Sequence, residues 1–233
     1  MSLHLLGGLL IILLSLAMVG ALVYGLNVAL TRAGYPSRAR LAYRYLVGIA
    51  LLVYLTGLTV FVQQDYFSNG DALPARVFGL FLAPVGVGIF LCLRRKFRQL
   101  LRLLPGAWLV GAQSFRLMTE GVFYLGLTAG FVPYQLTFLG FNQDIAVGVS
   151  AILGAVAFFG KHTSRFQIVV WNIFGMLLQF TLLANIILSL PSRWQIFRAA
   201  PSADFIVEVP FVWIPGFLMP LAVCLHLFSL VRR

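Results

Sequence analysis

Apolar residues follow one another in runs of about 20, without the period-two alternation of a half-buried strand, and each run stops at a cluster of charge, proline or glycine. A helix needs about 20 such residues to cross a hydrocarbon layer about 30 Å thick, and there it satisfies its own backbone hydrogen bonds. Continuous apolarity argues against a β-barrel, whose strands alternate. The pattern predicts an all-α, polytopic integral membrane protein with seven transmembrane helices, near residues 5–30, 41–62, 77–93, 107–131, 145–160, 168–188 and 210–230. With short connections throughout, residues 1–233 read as a single transmembrane domain.

Composition agrees with that pattern. The chain is 61% hydrophobic and 10% charged, and its mean hydropathy is +0.97; a soluble domain has about 45–50% apolar and 25% charged residues. The first run carries no positive charge before its apolar core, and Arg32, Arg38 and Arg40 follow it, so it reads as a retained helix rather than a cleaved signal.

Charge placement predicts the orientation. One set of flanks holds Arg32, Arg38, Arg40 and Arg44, then Arg94, Arg95, Lys96, Arg98 and Arg102, then Lys161 and Arg165, then Arg232 and Arg233. The other set holds Arg76, Arg193 and Arg198, while Arg116 falls within a span. Because cytoplasmic flanks collect Lys and Arg, the expected topology is N-terminus out and C-terminus in. The net charge of +11 is thus scattered beside helix ends, where membrane lipids are the nearer partner and nucleic acid is not expected. Only "RRKFRQLLRLLP" is a dense cluster, read either as a topology anchor or as an interfacial helix.

Several chemistries are disfavoured by inventory. Lys96 and Lys161 are the only lysines and both fall at loop positions, so no retinal Schiff base is expected within the bundle. Of His4, His162 and His226 only the last is well inside a span, which leaves no paired imidazoles for haem and no metal set. Neither Cys92 nor Cys224 is placed for a structural disulfide. No cofactor, no metal and no enzymatic activity are expected.

The candidate chemistry is polar residues inside spans, where an ionisable group costs about 2.5–3.5 kcal/mol on insertion scales and normally faces the bundle interior. In "GAWLVGAQSFRLMTEGVFYLGLTAGFVP", Arg116 and Glu120 stand at i and i+4 and can form an ion pair, with Gln113 and Tyr124 extending the stripe one turn each way. Asn172, Gly175 and Gln179 share a face of the sixth span, suited to close packing or to ligand contact. Asn142 and Asp144, just before the fifth span, are placed at the outer mouth and suit helix capping. Small residues Gly148, Ala151, Gly154 and Ala155 then make a face for close helix approach. Pro215 and Pro220 interrupt the last span, as Pro84 does the third. His226 reads as an interfacial side chain or a proton-responsive group.

The strings "QSFRLMTE", "TFLGFNQD", "WNIFG" and "PFVWIPGFLMP" resemble those of uncharacterised bacterial seven-helix integral membrane proteins, over roughly the second half of the chain. The resemblance implies a bacterial inner membrane and marks Gln113, Arg116, Glu120, Asn142, Asp144, Trp171 and Asn172; no established activity comes with it. Two functions follow from the residues. The first is a transporter or facilitator of a small anionic or zwitterionic solute, with a substrate site of Gln113, Arg116, Glu120, Tyr124, Asn172 and Gln179. The second is a membrane-embedded sensor of a ligand or lipid, or an assembly factor, with no transport.

Overall fold

The computed structural model describes residues 2–155 and 164–232. Among them every regular element is helical. They are α1 (Leu3–Arg32), α2 (Ser37–Gln63), α3 (Leu73–Leu93), α4 (Arg95–Arg102), α5 (Gly106–Gly111), α6 (Phe115–Thr128), α7 (Asp144–Leu153), α8 (Arg165–Ser189) and α9 (Met219–Val231). A 3-10 turn, Ala112–Ser114, joins α5 directly to α6, and a π-helical turn, Ile214–Leu218, leads directly into α9.

Among the described residues, five helices are long and apolar enough to cross a membrane: α1, α2, α3, α8 and Ile214–Val231. The other two expected spans differ from the pattern in instructive ways. Residues 106–128 form an unbroken helical succession whose hydrogen bonding tightens for one turn at its middle, where Gln113 turns inward. The fifth span begins as α7, which is 10 residues long as described; its expected end at Gly160, with Lys161 and His162, lies outside the described residues, as does Arg233.

The helix formed by Ile214–Val231 is the axis of the protein, with 78% of it buried. Its apolar character on every side is what a helix enclosed by other helices requires. Neighbours approach it through residues without side chains. A Cβ on Gly175 of α8 would collide with the His226 ring, one on Gly88 of α3 would collide with the Cys224 thiol, and one on Gly216 would lie 2.7 Å from the Leu58 side chain of α2. Pro220 has no N–H to offer the Gly216 carbonyl four residues earlier, and the Tyr54 hydroxyl of α2 donates to that carbonyl at 2.8 Å.

Contacts at the two ends of the bundle fix which termini lie together. Arg32 donates to the Leu103 carbonyl at 2.6 Å and Arg232 to the Leu104 carbonyl at 2.8 Å, so the end of α1, the turn after α4 and the end of α9 meet at one basic end. At the opposite end His4 lies 3.5 Å from Glu208 and packs edge-on against Phe131 and Phe211. The connecting segments at this end form a packed cap, with Leu136, Ala203, Phe205, Ile206 and Phe211 buried.

Candidate functional site

Arg116 stands ten residues above the start of α5, about 15 Å along the helix and hence near mid-depth. It is 1% exposed, the largest of the fully buried side chains. Helical side chains lean toward the N-terminus of their own helix, so the guanidinium extends toward the basic end and away from Glu120, one turn above. There it meets three other elements. Its Nη1 donates to Asp144 Oδ1 at 2.8 Å and to the Gly175 carbonyl at 3.4 Å, and its Nη2 lies 3.2 Å from His226 Nε2.

The expected pairing of Arg116 with Glu120 is therefore corrected: the carboxylate on Arg116 is Asp144, from α7. Glu120 instead accepts from Asn142 Nδ2 at 2.5 Å, and the same amide donates to the Leu136 carbonyl at 2.9 Å. Asn142 Oδ1 accepts from the backbone N–H of Asp144 at 3.0 Å, which holds the first turn of α7 and frees the Asp144 carboxylate for Arg116. Neither residue is at an outer mouth; Asn142 is 1% and Asp144 4% exposed.

Their depth has a structural cause. Glu120 lies two turns before the end of α6, so a residue bonded to it just ahead of α7 means that residues 133–143 descend into the protein before that helix begins. Non-helical backbone at membrane depth is tolerated where protein encloses it. The small-residue face then runs antiparallel along α5 and α6. A Cβ on Gly148 would lie 2.8 Å from Leu117, and one on Gly111 would lie 3.3 Å from Ala155.

On the other side of Arg116 the polar chain continues. His226 Nδ1 is 2.9 Å from Asn172 Oδ1, and Asn172 Nδ2 donates to the Ile168 carbonyl at 2.7 Å and to Ser229 Oγ at 3.1 Å. Trp171 packs on the His226 ring with centroids 5.0 Å apart and donates to Ser150 of α7 at 3.0 Å. The reading of His226 as interfacial is thus corrected as well: it is fully buried, because the long Arg116 side chain spans the distance between the middle of the 106–128 helical run and the last third of the Ile214–Val231 helix. Ser229 was not singled out from the sequence; its position three residues after His226, on the same face of a helix, was the available signal.

Two further members of the expected set are near this chain. Gln113 donates to the Ala222 carbonyl at 2.9 Å, and Gln179, 1% exposed, lies one turn above Gly175. Tyr124 does not join them. It is 42% exposed and stacks on Phe138 at 5.5 Å. Steps of four residues rotate about 40° each around a helix, which carries the stripe from the interior at Arg116 to the surface at Tyr124.

The site is not saturated. Among the described residues, Arg116 Nε, Glu120 Oε2, Gln113 Oε1, Gln179 Nε2 and Thr119 Oγ1 are buried without a hydrogen-bond partner. Such atoms are costly at low dielectric and mark places where a guest or a rearrangement would be favourable. No three His, Cys, Asp or Glu side chains among the described residues converge on a position for a metal ion. No family model, curated protein or solved structure matches the chain.

Proposed function

We propose that this is a seven-span transporter or facilitator of a small anionic or zwitterionic solute, set in a bacterial inner membrane with its N-terminus out and C-terminus in. The observation that carries the reading is the unspent polarity at mid-depth. Arg116 Nε and Glu120 Oε2 are a donor and an acceptor, both buried and without a partner, on adjacent turns. A solute carboxylate would compete with Asp144 for the guanidinium, and Glu120 would take a solute ammonium or exchange a proton. Helices that begin or break at mid-depth are a recurring feature of transporter sites; α7 begins there, and the π-helical turn with Pro215 and Pro220 interrupts the last span. Catalysis has no part in this reading.

One observation favours the second reading, a sensor or assembly factor without transport. Asp144 already neutralises Arg116, which is what a sealed interhelical clamp needs. Flux decides between them. Proteoliposomes challenged with a panel of small carboxylates and amino acids should show solute uptake by the unmodified protein, and Arg116→Lys and Glu120→Gln should abolish it while retaining a cooperative unfolding transition. Uptake unchanged by both substitutions would remove the transport site, and ligand-induced thermal stabilisation without uptake would favour the sensor.

A further inference from the structure

The basic end of the protein carries charge that the protein itself does not balance. All six carboxylates are elsewhere. Asp65 and Asp71 lie between α2 and α3, Asp204 and Glu208 lie in the cap, and Glu120 and Asp144 are in the interior. Several cations at the basic end are occupied within the fold: Arg32 and Arg232 hold the Leu103 and Leu104 carbonyls, and Arg94 lies over the Phe90 ring at 4.9 Å. The cations of α4 are not. Among the described residues, Arg95, Arg98 and Arg102 have no hydrogen-bond or ion-pair partner.

Their arrangement is ordered. Arg95, Arg98 and Arg102 stand at i, i+3 and i+7 and fall within about 60° of one another on the helix. Facing the bundle, Leu101 is 4% exposed and Phe97 packs edge-on against Phe228 of α9 at 5.0 Å. Helix α4 is therefore docked by its apolar face, with Arg95 and Arg102 exposed and Arg98 half-buried at the edge of that face. Only Arg94, in an extended conformation, separates it from the membrane-length α3, so it starts where α3 leaves the apolar layer. Phosphate oxygens are the acceptors found at that depth, and guanidinium groups match their geometry.

We infer that the Arg95/Arg98/Arg102 face of α4 is a binding site for the phosphodiester of anionic phospholipid headgroups. Each cation near an anionic membrane surface strengthens such binding about fivefold, and a fixed row of three gives selectivity over zwitterionic lipid. The site is independent of the interior chain and of whether the protein transports anything.

Titration of the purified protein in nonionic micelles with phosphatidylglycerol and with phosphatidylcholine, read by native mass spectrometry, tests this. Binding of phosphatidylglycerol should exceed that of phosphatidylcholine by at least about tenfold and weaken with salt. The triple variant Arg95→Gln/Arg98→Gln/Arg102→Gln should lose about a hundredfold, and the exposed single change Arg95→Gln, which leaves the docked face untouched, about fivefold. Arg193→Gln/Arg198→Gln, at the opposite end, should stay within about twofold. Equal affinity for the two lipids, an unchanged triple variant, or an equal loss in the opposite-end variant would overturn the assignment. Displacement of the lipid by an equal concentration of inorganic phosphate would also overturn it, by showing a site for any small anion.

Discussion

Helix α2 and the helix of Ile214–Val231 are both apolar enough to cross a membrane, yet their environments are opposite: 11% of the apolar 18-residue stretch of the first is buried and 78% of the second. Hydropathy does not distinguish them. What differs is where the chain places its polar atoms and its missing side chains. The last helix carries His226, Ser229 and two prolines, and α2, α3 and α8 approach it closely where Gly216, Gly88 and Gly175 leave no side chain in the way. Helix α2 contributes one narrow stripe, with Leu55 and Leu58 buried and the Tyr54 hydroxyl on Gly216, and leaves Leu46, Ile49 and Val53 uncovered. In lipid, where apolar surface gains little from meeting more apolar surface, close packing and polar contacts decide position.

Substitutions at the two helices and their partners should separate accordingly. The largest effect is expected for Arg116→Ala, which strands Asp144 without a counterion: about 3–5 kcal/mol of stability, measured by reversible unfolding in mixed micelles. Leu46→Ala, on the uncovered face of α2, should stay within about 0.5 kcal/mol in the same assay.

Glycines give a second contrast. At Gly175 a methyl group would collide with the His226 ring, so Gly175→Ala should cost about 1–3 kcal/mol. At Gly57 of α2 nothing lies within 4 Å of the added Cβ, so Gly57→Ala should be neutral or stabilise by up to about 1 kcal/mol. A thermal shift of the same sign for both would mean that the axial helix is less enclosed than its burial indicates. A modest loss is expected at the link between the two regions: Tyr54→Phe removes one hydrogen bond and should cost about 0.6 kcal/mol.

Much of this organisation was legible in the order of residues. The expected spans at 5–30, 41–62, 77–93, 168–188 and 210–230 coincide within a few residues with α1, α2, α3, α8 and Ile214–Val231, because length and apolarity are local properties. That Arg116 and Glu120 face inward was legible too, since no carboxylate or guanidinium is stable against lipid. The identity of the partner was not. Asp144 is 28 residues away from Arg116, and only the descent of residues 133–143 brings it to mid-depth, a backbone path with no local hydrophobic signature. The same limit applies to His226, whose depth along its own helix was readable while the reach of a side chain from another helix was not. Tyr124 failed for a simpler reason, the precession of four-residue steps around a helix of 3.6 residues per turn.

The central claim is that the interior is organised by a guanidinium on α6 and a carboxylate on α7, not by an ion pair along α6. A double-mutant cycle tests it most directly, with Arg116→Gln, Asp144→Asn and Glu120→Gln combined in pairs and read by reversible unfolding. The structure predicts that Arg116→Gln and Asp144→Asn are each strongly destabilising, that their combination recovers part of the loss, and that their coupling, about 1–3 kcal/mol, exceeds that of Arg116 with Glu120. Additive losses for Arg116 and Asp144, or a larger coupling between Arg116 and Glu120, would contradict it.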